Sequence, residues 1–248
     1  MLRATFAHLH GVGLHTERRI WDAGIGDWAD LLARPSDGLP LSARDPSNRS
    51  LVQRCLAAYG AGDWSFLDRA LPSSLKWRAY GDLGGRALFL DIETTGDAAN
   101  EITVIGLYDG VEARAFVADR DLGEALRIID RHPLLVTYNG AAFDLPILRA
   151  HFRGEPINAL HLDLLHPLRR LGLRGGLKAC ERRLGIERPD AVRGMDGWDA
   201  VRLWRAHRLG SGEALDLLLE YNRQDIVNLK PLAEFAFSRL RAAAGMRG

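Results

Sequence analysis

Hydrophobic positions come as short unbroken runs through the middle of the chain and at helical spacing after it. The clearest run is Leu88-Phe89-Leu90, which continues as Asp91-Ile92-Glu93-Thr94-Thr95-Gly96. Large apolar side chains entered from Gly84-Gly85 and stopped by Thr94-Thr95-Gly96 predict a buried strand. Ile102–Tyr108 and Val111–Phe116 predict two more strands, joined by the hairpin signal Asp109-Gly110. Leu134–Tyr138 and Leu160–Leu164 complete the strand set. Helical patterns cover 121–131 and 143–152, the second with Pro146 near its start, where proline is tolerated. Beyond 164 the pattern predicts helices at about 165–171, 177–184, 197–209 and 213–240, the last bent at Pro231. A hairpin-led sheet, then alternating strands and helices, then helices alone, suits an α/β fold with a mixed sheet and helices on its faces.

The first third of the chain reads differently. In residues 1–34, Gly11-Val12-Gly13 predicts a tight turn, and Thr16-Glu17 opens a helix with Ile20 and Trp21 on its apolar side. Gly24 ends that helix, and a second short one follows from Gly26. This small α-helical appendage resembles one half of a helix-hairpin-helix. Such a hairpin would offer backbone N–H groups around Gly11 and Gly13 to a nucleic-acid phosphate without reading bases. Residues 35–50, rich in Pro, Ser, Asp and Arg, predict a linker. Leu51–Tyr59 and Trp64–Leu71 predict helices that pack on the main domain. The expected division is therefore 1–34, 35–80 and 81–248.

Composition narrows the class. A chain of 248 residues, 47% hydrophobic and 26% charged, fits a globular protein of one large domain with an appendage. No apolar run approaches the roughly 20 residues of a membrane span, so no membrane partner is expected. Met1–Ile20 has no apolar core and carries three His and three Arg, which predicts no secretory signal. Cys55 and Cys180 lack metal-type spacing and read as buried thiols, consistent with a reducing, cytoplasmic setting. The net charge of +1 hides a division. Residues 81–164 carry 14 acidic against 7 basic side chains, and residues 165–210 carry 5 against 11. An acidic metal site beside a basic, phosphate-facing surface has this signature, as does a plain solvated helix face.

Candidate chemistry starts from Asp91 and Glu93. A spacing of two places both carboxylates on one face of the strand. Buried acids need a cation, and carboxylate oxygens suit hard divalent ions. Asp144 opens a helix just past a strand, in Asn139-Gly140-Ala141-Ala142-Phe143-Asp144. Tyr221 and Asp225, four apart, share a helix face that Leu218 and Leu229 mark as inward. Asp163 reads as a structural hydrogen-bonder, and the histidines form no recognised ligand set.

Asp-x-Glu-Thr-x-Gly from Asp91, Asn-x-x-x-Phe-Asp from Asn139 and Tyr-x-x-x-Asp from Tyr221 occur in order. Together they resemble the DnaQ-like DEDD 3′–5′ exonucleases of ribonuclease-H-like fold. Tyr221, with Glu220 where a His-type branch would carry histidine, resembles the DEDDy branch. The stretch Gly176-Leu177-Lys178-Ala179-Cys180-Glu181 is similar to a helix common in these nucleases, and the N-terminal module resembles that of YprB-type predicted exonucleases. The resemblance implies hydrolysis of phosphodiester bonds from a 3′ end by two divalent ions, Mg²⁺ or Mn²⁺. It implies that Asp91 bridges both ions, with Glu93 and Asp225 completing one shell and Asp144 holding the second ion through water. Tyr221 would orient the attacking water or help to deprotonate it. Thr94 and Thr95 would touch the terminal nucleotide, and Asn139 and Phe143 its sugar and base, Phe143 by stacking. A core role for Phe143 is the alternative. The hairpin favours DNA over RNA as partner. An exoribonuclease and an inactive nucleic-acid-binding scaffold are the competing readings.

Overall fold

The computed structural model describes residues 1–35 and 39–245. The N-terminal part contains α1 (Leu14–Asp22), α2 (Trp28–Ala33), α3 (Leu41–Arg44), α4 (Pro46–Ala61), α5 (Trp64–Ala70) and α6 (Tyr80–Leu83). The sheet follows as β1 (Ala87–Thr94), β2 (Ile102–Tyr108) and β3 (Ala113–Val117), then α7 (Leu122–Ile129), β4 (Leu134–Thr137), α8 (Asp144–His151) and β5 (Leu160–Asp163). Helices α9 (Leu165–Arg170), α10 (Leu177–Arg183), α11 (Gly197–Arg208) and α12 (Gly212–Ala244) complete the chain.

The sheet is mixed, in the order β3-β2-β1-β4-β5. Strands β1, β2 and β3 pair antiparallel, while β1, β4 and β5 run parallel. Alternation along β1 sorts its side chains. Leu88, Leu90 and Ile92 pack with Ala125 and Ile129 of α7 and Leu145 and Leu148 of α8. Phe89 points to the other face, where α12 lies across the sheet. Asp91 and Glu93 fall on that same α12 face, as their spacing predicts. The β1–β2 register shifts at Glu93/Thr94, a bulge of the kind found beside active sites. Helix α12 continues through Pro231 to Ala244, longer than its sequence pattern suggests.

The expected linker is the main correction. Part of it, residues 36–38, lies outside the described residues. The rest is helical: α3 begins at Leu41 and α4 at Pro46, five residues before the predicted start. Pro46 sits in the first turn, where its missing N–H costs nothing, and the Asp45 side chain accepts from the N–H groups of Ser47 and Asn48. Reading the Pro-, Ser-, Asp- and Arg-rich composition of residues 35–50 as a linker hid this helix start. The Gly11–Gly13 turn is preceded by one short 3₁₀ turn, Leu2–Ala4, rather than a full helix.

The N-terminal segment is not separately cored. Leu2, Phe6, Ile20 and Trp28 belong to one continuous buried cluster with Phe89 and Val136 of the sheet and Leu232 and Leu240 of α12. Glu17 of α1 lies inside it. Its carboxylate accepts from the N–H groups of Phe6 and Ala7 and from both terminal nitrogens of Arg78, each of the latter at 2.7 Å. Both charged residues are 1% exposed.

A candidate metal centre on the sheet

Three carboxylates meet under α12. Ligand atoms of Asp91, Glu93 and Asp225 lie within 4.8 Å of one another. They line a cleft of about 230 Å³ whose wall also includes Asp144, Tyr221, Thr94, Asn139 and Phe143. Asp144 opens α8, and its carboxylate accepts from the Ile92 N–H at 3.1 Å, so it is tied to β1 between the two strand acids. Phe143 is 40% exposed at the cleft lip, which rules out the core role. Asn139 has φ of +64°, and its N–H and that of Ala141 donate to Asp163 at 2.7 and 3.1 Å. Asp163 is thus the structural hydrogen-bonder its context suggests. Thr95 does not line the cleft; its hydroxyl donates to Asp97. Gly11 and Gly13 lie outside the cleft wall, Gly13 as the cap of α1.

The electrostatics of the cleft are those of excess negative charge. Burial, then Asp225, Asp144 and Glu93, push the Asp91 carboxyl well above the usual range. Burial and Asp225 push Glu93 up to about 8, and burial pushes Asp144 up to about 7. Burial raises Asp225 as well, against the pull of Arg188 and Lys178. Burial and the carboxylates of Asp225, Glu93 and Asp91 raise the Tyr221 phenol far above its ordinary value. Four acids therefore share two cations, one of them also committed elsewhere. The donor set is all oxygen, convergent and short of positive charge, which fits hard divalent cations.

Three residues with no assigned role in the sequence reading complete the site. Lys178 of α10 donates to the Tyr221 hydroxyl at 2.5 Å. Arg188, buried in the loop between α10 and α11, donates to Asp225 at 2.5 Å and to both oxygens of Glu181 at 2.6 and 2.7 Å. Asn222 donates its side-chain amide to the Asp91 carboxylate at 3.1 Å. That last contact depends on Gly106, which pairs with Asp91 across β1 and β2. A Cβ at Gly106 would lie 1.9 Å from the Asn222 side-chain oxygen. Gly106→Ala is accordingly expected to displace Asn222 and to cost about 1–3 kcal/mol of overpacking. Urea unfolding measures the loss, and an unchanged midpoint would mean that Asn222 relocates freely. Their signals in the sequence are slight: Asn222 stands next to Tyr221, and Lys178 lies in the Gly176–Glu181 stretch.

The mixed five-stranded sheet under the long helix α12, with acids on its central strand, is an RNase-H-like architecture. A family model described as the RNase_H superfamily matches residues 88–237. The match covers more than half of the chain, from β1 into α12, and the chain belongs to the RNase H superfamily. A search of curated proteins finds no match. Among the described residues no helix is long and apolar enough to cross a membrane.

Proposed function

We propose that this chain is a 3′–5′ exonuclease of the DEDDy type, acting on nucleic acid with DNA favoured over RNA, and that residues 81–248 form its exonuclease domain. The observation that carries the reading is the meeting of Asp91, Glu93 and Asp225 in one cleft with Asp144, and with Tyr221 one helical turn before Asp225. Asp91, Glu93 and Asp225, supported by Asp144, would hold two divalent ions, Mg²⁺ or Mn²⁺. Bound there, the ions supply a low-pKa water as nucleophile and neutralise charge on the phosphate and the leaving oxygen. Tyr221 enters the site protonated. With Lys178 donating to its oxygen, its own proton is free to orient the attacking water, which favours orientation over deprotonation. Phe143 at the lip stacks the terminal base, and Asn139 and Thr94 contact the terminal nucleotide. The helix start behind Gly13 adds a phosphate contact away from the cleft.

The test uses 5′-labelled single strands of DNA and RNA with Mn²⁺. Expected are a descending ladder from the free 3′ end, faster on DNA, and resistance of a circular single strand. Cleavage of the circle would replace the exonuclease reading with an endonuclease, and faster loss of RNA would reverse the preference.

A further inference from the structure

The chain has six tryptophans. Trp28, Trp77 and Trp204 are buried, and Trp21 and Trp64 are half-buried. Trp198 is 63% exposed. It stands at the start of α11, beside Gly197 and one turn before Val201, both of which line the acidic cleft. Arg202 and Arg205 follow Trp198 at four and seven residues, on the same exposed stripe of the helix. Arg202 pairs with Asp199, and Arg205 is in no ion pair among the described residues.

The stripe is held fixed against the catalytic strand. Asp196 and Asp199 close a capping box around the first turn of α11. The loop after β1 packs on the same helix: a Cβ at Gly96 would lie 2.6 Å from Val201. From Trp198 to Arg205 the helix rises about 10 Å, which is about three stacked-base steps of a strand.

We propose that Trp198, Arg202 and Arg205 form the track for the strand leading to the cleft. Trp198 stacks a base upstream of the nucleotide held at Phe143, and the arginines meet the following phosphates. The occupant is a single-stranded nucleic acid. The chemistry matches it on both counts, an exposed aromatic face for bases and an unpaired guanidinium for phosphates. This inference rests on the nuclease reading above and adds the substrate path to it.

The experiment measures kcat/KM on 5′-labelled oligothymidylates of two to ten nucleotides, and the affinity for a fluorescent ten-mer by anisotropy in EDTA. Trp198→Ala is expected to raise KM and Kd about tenfold on the ten-mer, with the deficit shrinking as the strand shortens. Trp198→Phe restores most of it, because a π-face returns. Arg205→Glu is expected to flatten the dependence of log Kd on log salt by about one unit. Leu209→Ala, 90% exposed at the far end of α11, is the control and leaves both readouts unchanged. Equal constants for wild type and Trp198→Ala at every length, or an unaltered salt slope in Arg205→Glu, would overturn the track while leaving the nuclease reading intact. A wild-type protein inert on every oligonucleotide overturns both.

Discussion

Asp91→Ala is expected to lower phosphodiester hydrolysis about a thousandfold or more, the upper end of what one electrostatic partner of a transition state supplies. The same substitution is expected to stabilise the protein in EDTA at pH 8. Asp91, Glu93, Asp144 and Asp225 all lie above ordinary carboxyl values in the fold, chiefly through burial. Acids raised in the folded state bind more protons there than in the unfolded chain. Without a divalent cation, stability therefore falls as pH rises from about 4 through the folded values of about 7 for Asp144 and about 8 for Glu93. Removing Asp91 removes part of that repulsion. Mn²⁺ opposes it from the other side, by about 2.7 kcal/mol at a hundred times its Kd, and more at pH 8 than at pH 6 because the ligands must be deprotonated. Melting curves with EDTA and with Mn²⁺ at the two pH values read all of this. A variant that keeps both its cleavage rate and its Mn²⁺ response would take Asp91 out of the centre.

Glu17→Gln is expected to cost about 3–5 kcal/mol and to lower Tm by about 10 °C. Glu17 and Arg78 form a buried pair in which each oxygen of the carboxylate meets a guanidinium nitrogen. Neutralising Glu17 leaves the Arg78 charge buried with no other carboxylate bonded to it among the described residues. Two backbone N–H groups, of Phe6 and Ala7, lose a charged acceptor at the same time. Those N–H groups also decide what a double replacement would do. Apolar residues at both positions would remove the pair but orphan the two donors, so full recovery is not expected. Guanidinium unfolding of the single and double variants measures the coupling. A loss below about 1 kcal/mol, the range of an exposed pair, would show that water reaches the site.

Much of this site was legible in the chain because its signals are local. Asp91 and Glu93 announce a shared face by a spacing of two on an apolar run, and Tyr221 and Asp225 by a spacing of four between Leu218 and Leu229. Asp144 and Asp163 follow from their places beside strand ends. The sheet was legible for the same reason, since each strand is a short apolar run between turn residues. What stayed hidden has no local period. Arg188 reaches Asp225 across 37 residues and Asn222 reaches Asp91 across 131. Gly106 looks like any strand glycine until the opposing helix is seated. The same holds for residues 1–34. Their turn signals are those of a separate module, and the shared core of Phe6, Trp28 and Leu240 joins them to the rest of the chain.

The position of α12 bears on when the acidic cleft is completed as the chain is synthesised. Strand β1 leaves the ribosome with Asp91 and Glu93 well before α12 brings Tyr221 and Asp225. Until α12 docks, the strand acids stand on an uncovered face of the sheet with Asp144 of α8 beside them but without Asp225. A nascent chain therefore carries three of the four cleft acids but not the cluster of Asp91, Glu93 and Asp225. The cluster is completed by α12, in the same step that buries Phe89.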